Sequence, residues 1–142
     1  RTEDIPVYTE GNTLAAKKAS DLRQRVRIVN STNRGVLISI HQNTFSDNRY
    51  DGAQVFYAPT EGSKELADIL QSNLIVTINR DSHRKSKSAN KVYLMQHIVR
   101  TGVLIECGFL SNPEEEAKLR NGDYQKKICC VIASSLSQYF KT

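Results

Sequence analysis

The sequence predicts an α/β domain built on a mostly parallel sheet with helices on both faces. Three observations carry that expectation. Two short runs of one design, GVLISIH (35–41) and GVLIECG (102–108), are apolar apart from Ser39, His41 and Glu106, as strands buried on both faces largely are. Other stretches place apolar residues three and four apart, the period of an amphipathic helix. Turn residues separate the two patterns, so strands and helices alternate along the chain, which is how parallel sheets are assembled.

Taken in order, NTLAAKKASDLRQRVRIVN (12–30) carries Ala15, Ala19, Leu22, Val26 and Val29 as one helical stripe, with Lys17, Lys18, Arg23 and Arg27 turned away from it. Gly35 breaks this helix, and Val36 to Ile40 read as a fully buried strand. A polar loop, TFSDNRYDG, leads to a short strand from Ala53 to Tyr57. Pro59 and Gly62 punctuate before Ser63, the expected cap of a helix that runs to about Thr77 through Leu66, Ile69, Leu70 and Leu74. The basic stretch NRDSHRKSKSANK has no periodicity and reads as a long solvated loop, with the rim of an active site or a contact to an anionic polymer as its functional alternative. Val92 to Ile98 is ambiguous between strand and irregular structure. After the second apolar run, Asn112, Pro113 and Glu115 supply cap, first-turn proline and capping-box acid for a short helix ending near Gly122. A last helix opens at Asp123 and packs through Tyr124, Ile128, Ile132, Leu136 and Tyr139.

The chain has 142 residues, enough for one core but not two, and 39% of them are hydrophobic, which argues for a folded unit. No apolar run approaches the roughly 20 residues that span a bilayer. The net charge of +5 favours anionic partners, nucleic acid or an anionic wall polymer among them. Basic residues are not interleaved with aromatics and no recognition motif is present, so nucleic acid is not the expected partner. Residue 1 is Arg and the only methionine is Met95, so the chain reads as a processed or truncated piece of a longer product. The three cysteines, Cys107, Cys129 and Cys130, lack metal-ligand spacing. Cys129 and Cys130 read as small buried thiols in a helix, and Cys107 as a small residue on the far face of a strand end rather than a nucleophile.

Each apolar run ends on a reactive side chain: His41 in the first, Glu106 in the second. If both are strands of one parallel sheet, the two emerge on the carboxyl edge, where open α/β sheets keep their chemistry. Alone, His41 is as compatible with a hydrogen-bonded structural histidine, and Glu106 with a carboxylate capping a neighbouring helix. Together they fit a metal ligand plus a general base acting on metal-bound water.

The strings LISIHQN and VLIECGFLSNPEE, with DLRQRVRIVN upstream, resemble the zinc-dependent N-acetylmuramoyl-L-alanine amidases of bacterial cell-wall hydrolysis. The resemblance covers essentially the whole chain, and DLRQRVRIVN, YLMQ and GFLSNP resemble most the sporulation and germination branch. It implies an amidase-type fold and hydrolysis, on peptidoglycan, of the bond between N-acetylmuramic acid and L-alanine, in spore cortex modification. It also implies an exported protein of the cell envelope or spore intermembrane space, with a protein regulator unspecified. By resemblance His41 is a zinc ligand and Glu106 the catalytic acid/base. Asn43 supports the loop or the substrate, His97 is a candidate lining of the substrate cleft, and Arg25 and Asn30 are framework residues. The family's other two zinc ligands, a histidine in an Asp-Pro-Gly-His-Gly-Gly motif and a glutamate after it, find no match. Arg1-Thr2 resembles the end of the family's second strand, so residues 1–142 are expected to be the larger, C-terminal part of one catalytic domain, lacking its first strand and helix. Neither His83 nor His97 has the position of a missing ligand. The rival expectation is a non-catalytic wall- or partner-binding module on the same fold.

Overall fold

A computed structural model describes residue 3 and residues 5–141; the strand end expected at Arg1-Thr2 lies outside them. The elements follow in the order α1 (Leu14–Asn30), β1 (Leu37–Asn43), β2 (Gln54–Tyr57), α2 (Ser63–Ile78), β3 (Lys87–Ser88), α3 (Tyr93–His97), β4 (Gly102–Phe109), α4 (Pro113–Arg120) and α5 (Gly122–Tyr139). The four strands form one mixed sheet in the order β1-β4-β2-β3. The β1/β4 and β2/β3 pairs are parallel, whereas β2 runs antiparallel to β4.

β4 is the strand the uniform apolar run predicted, buried on both faces. Its odd-numbered side chains Val103, Ile105 and Cys107 pack into a core with Leu66, Leu70 and Leu74 of α2, Leu119 of α4 and Ile128, Val131 and Ile132 of α5. Leu104 faces the other way, into a smaller cluster with Met95, Ile98 and Ala58, flanked by Val29 of α1, Leu37 and Phe56. The successive side chains of a strand alternate between faces, so one β-strand serves both layers.

Several expectations change once neighbours are known. β1 is an edge strand rather than a fully buried one, and Ile40 is 57% exposed on it. In α1 the stripe is not the buried face: Ala15, Ala19 and Leu22 are exposed and only Ser20 is buried. Its contacts with residues 7–10 are largely polar. The Ser20 hydroxyl accepts from the backbone N–H groups of Thr9 and Glu10, Asp21 accepts from Val7, and Lys17, expected to face away, lies over the Tyr8 ring at 5.3 Å. Asn30 closes the helix onto the far segment, donating to the His97 carbonyl and accepting from Val99 N–H.

Ser63 is the first residue of α2 rather than its cap. Gly62 holds the cap position at φ 73°, and a Cβ there would meet the Tyr139 hydroxyl at 2.2 Å. The freed Ser63 hydroxyl accepts instead from Gly102 N–H, at the entry to β4. The basic stretch contains β3, and Val92 to Ile98 is largely the one-turn helix α3. Asn112 caps α4 as expected, α4 stops at Arg120, and Asn121 caps α5 from Gly122. Glu115 makes no capping box. It is 2% exposed and accepts from Gly52 N–H at 2.9 Å, across the fold. Cys129 and Cys130 are exposed, on the outer face of α5, while Cys107 is buried.

Candidate active site

The parallel register of β1 and β4 puts His41 directly beside Glu106. Adjacent strands lie about 4.8 Å apart, and register partners project from the same face of a sheet, so imidazole and carboxylate are neighbours. Neither residue ends its strand, because β1 continues to Asn43 and β4 to Phe109. A register shift between His41 and Asn43 marks where the ladder becomes irregular just past the pair.

His41 is exposed, and its Nε2 lies 3.0 Å from the Ser39 hydroxyl on the same face. Both line an open cavity of about 700 Å³ with Leu104, Leu94 and Val92 on one side and Tyr8, Lys17 and Arg25 on the other. Arg25 is held by Asp21 at 2.5 Å. Glu106 is half-buried, and burial pushes its carboxyl above the ordinary carboxylate range while the neighbouring His41 pulls the other way. Its Oε2 is buried without a hydrogen-bond partner. An unpaired buried carboxylate oxygen is costly, and in a hydrolytic site it is an acceptor held ready for a proton. Among the described residues, no three His, Cys, Asp or Glu side chains converge as a metal site would require.

The GFLSNP segment ties this edge together. Leu110 N–H donates to the Asn43 carbonyl, the Ser111 hydroxyl accepts from Phe45 N–H, and the Asn112 amide donates to the Tyr50 carbonyl while its oxygen caps α4. The polar loop between β1 and β2 is thereby pinned to the strand that carries Glu106. Asn43 itself turns its Oδ1 onto Thr44 N–H at 2.8 Å. His97 is not gathered into the site; its ring stacks on Tyr93 at 4.0 Å and its Nδ1 lies 2.8 Å from the Tyr93 carbonyl. His83 is exposed in the segment before β3.

On the other flank of β4, Gln54 of β2 is the register partner of Glu106. The sequence singled out neither it nor Gln71. β3 pairs with β2 only at Phe56 and Tyr57, so the start of β2 lacks a strand neighbour on the side away from β4. Gln71 of α2 takes that place, accepting from Val55 N–H at 2.8 Å and donating to the Ala53 carbonyl. Gln54 donates to Gln71 and to the Lys85 carbonyl, which fastens the basic segment against the sheet. A glutamine inside an apolar helical pattern was the available signal.

Residues 3–138 match the model of the family described as N-acetylmuramoyl-L-alanine amidase. The chain is 38% identical over 146 residues to the germination-specific N-acetylmuramoyl-L-alanine amidase of Bacillus subtilis, a match covering 99% of this chain and 60% of that protein. Among solved structures it resembles the CwlD amidase of Clostridioides difficile, solved in complex with the GerS lipoprotein, with a TM-score of 0.92 and 35% identity over 99% of this chain and 73% of that one. A second amidase structure from Clostridium difficile matches with a TM-score of 0.77 and 31% identity, over 85% of this chain and 66% of the other. The chain thus spans about three fifths of the germination-specific relative's length.

Proposed function

This chain belongs to the N-acetylmuramoyl-L-alanine amidase family, and from that membership we propose that it forms the greater part of a catalytic domain that hydrolyses the amide between N-acetylmuramic acid and L-alanine. The observation that carries the reading is the register pairing of His41 with Glu106, whose Oε2 is buried and unpartnered. Glu106 is the general base: its carboxylate accepts the proton of the attacking water, and the same carboxyl delivers it to the nitrogen of the departing L-alanine. Desolvation raises the proton affinity of that carboxyl, which suits a group that must both take and give.

Zinc is the proposed cofactor and His41 one of its ligands. A catalytic zinc takes three protein ligands, and the described residues bring no such group together. They do not make a zinc centre by themselves, and the proton transfers assigned to Glu106 rest on its own geometry. The substrate is peptidoglycan, and the germination-specific relative favours that of the spore cortex. The site of action is then outside the cytoplasmic membrane, in the cell envelope or spore intermembrane space; among the described residues no helix is long and apolar enough to cross a membrane. The lipoprotein bound to the solved relative makes a protein regulator of that kind the expected partner.

Glu106→Gln in the complete, zinc-loaded catalytic domain tests the reading against a non-catalytic module. Positioned general bases contribute about 10²–10⁴ in rate, so release of L-alanyl peptides from muropeptides should fall at least a hundredfold while circular dichroism and zinc content stay unchanged. Cleavage by the Gln variant at the wild-type rate would remove Glu106 from the mechanism.

A further inference from the structure

Beside the Glu106 strand lies a second cavity, of about 190 Å³, whose lining includes Gln54, Arg84 and Lys87. We propose that it is a subsite for the residue that follows L-alanine in the stem peptide, taking its α-carboxylate on Arg84 and Lys87 and its backbone N–H on Gln54. This rests on the amidase reading and names a specificity-determining part of the same site.

The charges come first. Arg84 and Lys87 enter no ion pair among the described residues. Arg84 donates from Nη2 to the Asp51 carbonyl at 2.9 Å and lies 5.4 Å from the Phe109 ring centroid, which orients the guanidinium and leaves its remaining donors available. A planar guanidinium fork matches a carboxylate in geometry, and an ammonium beside it adds charge without direction.

Gln54 is the second, independent observation. It is 2% exposed, its Nε2 is committed to Val55, Gln71 and Lys85, and its Oε1 is buried without a partner. Those three acceptors fix which amide atom is nitrogen, so the orphan is an acceptor that wants an N–H or O–H. A cavity offering two cations and one buried acceptor fits a carboxylate with an N–H on the same carbon. That is the α-carbon of a γ-linked acidic residue, whose α-carboxylate stays free while its nitrogen is the amide to L-alanine.

Placement agrees with this order. Gln54 is the register partner of Glu106, so the acceptor stands one strand from the general base. The apolar wall, Phe45 against Tyr50 at 5.0 Å and Tyr50 against Phe109 at 5.9 Å, is suited to the methylenes of the acidic side chain.

The test compares N-acetylmuramoyl-L-alanyl-D-glutamate with its D-isoglutamine analogue, in which the α-carboxylate is a carboxamide, on the complete, zinc-loaded catalytic domain. Charge-assisted hydrogen bonds of this kind support a roughly tenfold to hundredfold preference in kcat/KM for the acid. That preference should fall towards unity in Lys87→Gln and in Arg84→Ala, mainly through KM. The same two ligands titrated calorimetrically into the Glu106→Gln protein should show the same order of affinity. Equal cleavage and equal binding of acid and amide would overturn the subsite while leaving the amidase reading intact. Cleavage of neither would sink the amidase reading, and binding would then decide: an acid preference that Lys87→Gln abolishes supports the subsite, and no preference ends it.

Discussion

Replacing Glu115 by Ala should destabilise the domain by about 2–4 kcal/mol, although the residue lies on a helix whose sequence suggested a merely local cap. The carboxylate is 2% exposed, and one oxygen accepts from Gly52 N–H at 2.9 Å. Gly52 is itself buried at φ 79°, in a turn where Asn79 holds the next N–H, that of Ala53, at 3.2 Å. Removing the acceptor strands a buried donor, at about 1–3 kcal/mol, and deleting the packed methylene adds about 0.8 kcal/mol. The Lys118 contact at 3.4 Å adds little, since that lysine is 53% exposed and the pair is screened. For a chain of this size the loss corresponds to a fall in Tm of roughly 6–12 °C. Urea unfolding followed by circular dichroism should show a lower midpoint with an unchanged slope. Glu115→Gln keeps an acceptor and should lose less than half as much, and Lys118→Ala should stay within about 0.5 kcal/mol of wild type. A Glu115→Ala protein within that same margin would show that water reaches Gly52, and that the tie between α4 and the start of β2 is not structural.

Further outcomes follow from the same geometry. Of the three cysteines, Cys129 and Cys130 should react with Ellman's reagent at pH 8 in the native protein and Cys107 only after unfolding, because burial, then Glu106, then Cys129 push the Cys107 thiol up to about 11; three fast thiols would mean that β4 opens readily. Asp68 is held below its ordinary value by Lys64 and then by Ser86, so its contribution to stability is complete above the unfolded pKa near 3.8 and disappears as pH falls through the lower folded value. Asp68→Asn should therefore lower the urea midpoint slightly at pH 7 and by less at pH 2.5, and a loss that grew on acidification would reverse the sign of the argument. With His41 as the one proposed zinc ligand, residues 1–142 should retain well under one zinc per chain after dialysis against a weak chelator, and His41→Ala should retain less; one tightly held zinc in wild-type residues 1–142 would send the search to His83 and His97.

Sheet and helices were legible where a local pattern and the tertiary environment agree. GVLIECG is apolar around Glu106 because β4 is covered on both sides, and Asn112-Pro113 starts α4 because cap and proline act within four residues. The misreadings share a cause: the deciding partner is distant in sequence. Glu115 is taken by Gly52, 63 positions away, rather than by the cap it matches. Ser63 cedes its cap because Tyr139 crowds Gly62 into a role only glycine fills, and α1 shows a stripe that the described residues leave largely uncovered. β3 carries no hydrophobic signal at all. It is two residues in a basic stretch, held by the β2 ladder and by Gln54 on the Lys85 carbonyl, and backbone hydrogen bonding has no composition.

The site divides along the same line. His41 and Glu106 could be found because each follows an apolar run, and a parallel pairing of two such runs brings their ends together. That they are register partners, one beside the other, depends on the offset between strands, which neither run encodes. Gln54 was invisible for the opposite reason, since a polar residue at the start of a short strand resembles a solvent-facing one, and Arg84 was legible only within a basic stretch whose second reading was an active-site rim or anionic-polymer contact. Their places follow from the antiparallel insertion of β2 between β4 and β3. It sets Gln54 against Glu106 and draws the basic segment onto the sheet beside it. The central strand thus carries the proposed proton-transfer group on a twice-covered element, with a candidate ligand on one neighbouring strand and the proposed recognition groups beside the other. On the roles proposed above, variation in the 79–91 segment would retune which stem peptide is held without moving Glu106, whereas a change to the register of β1 on β4 would separate His41 from Glu106.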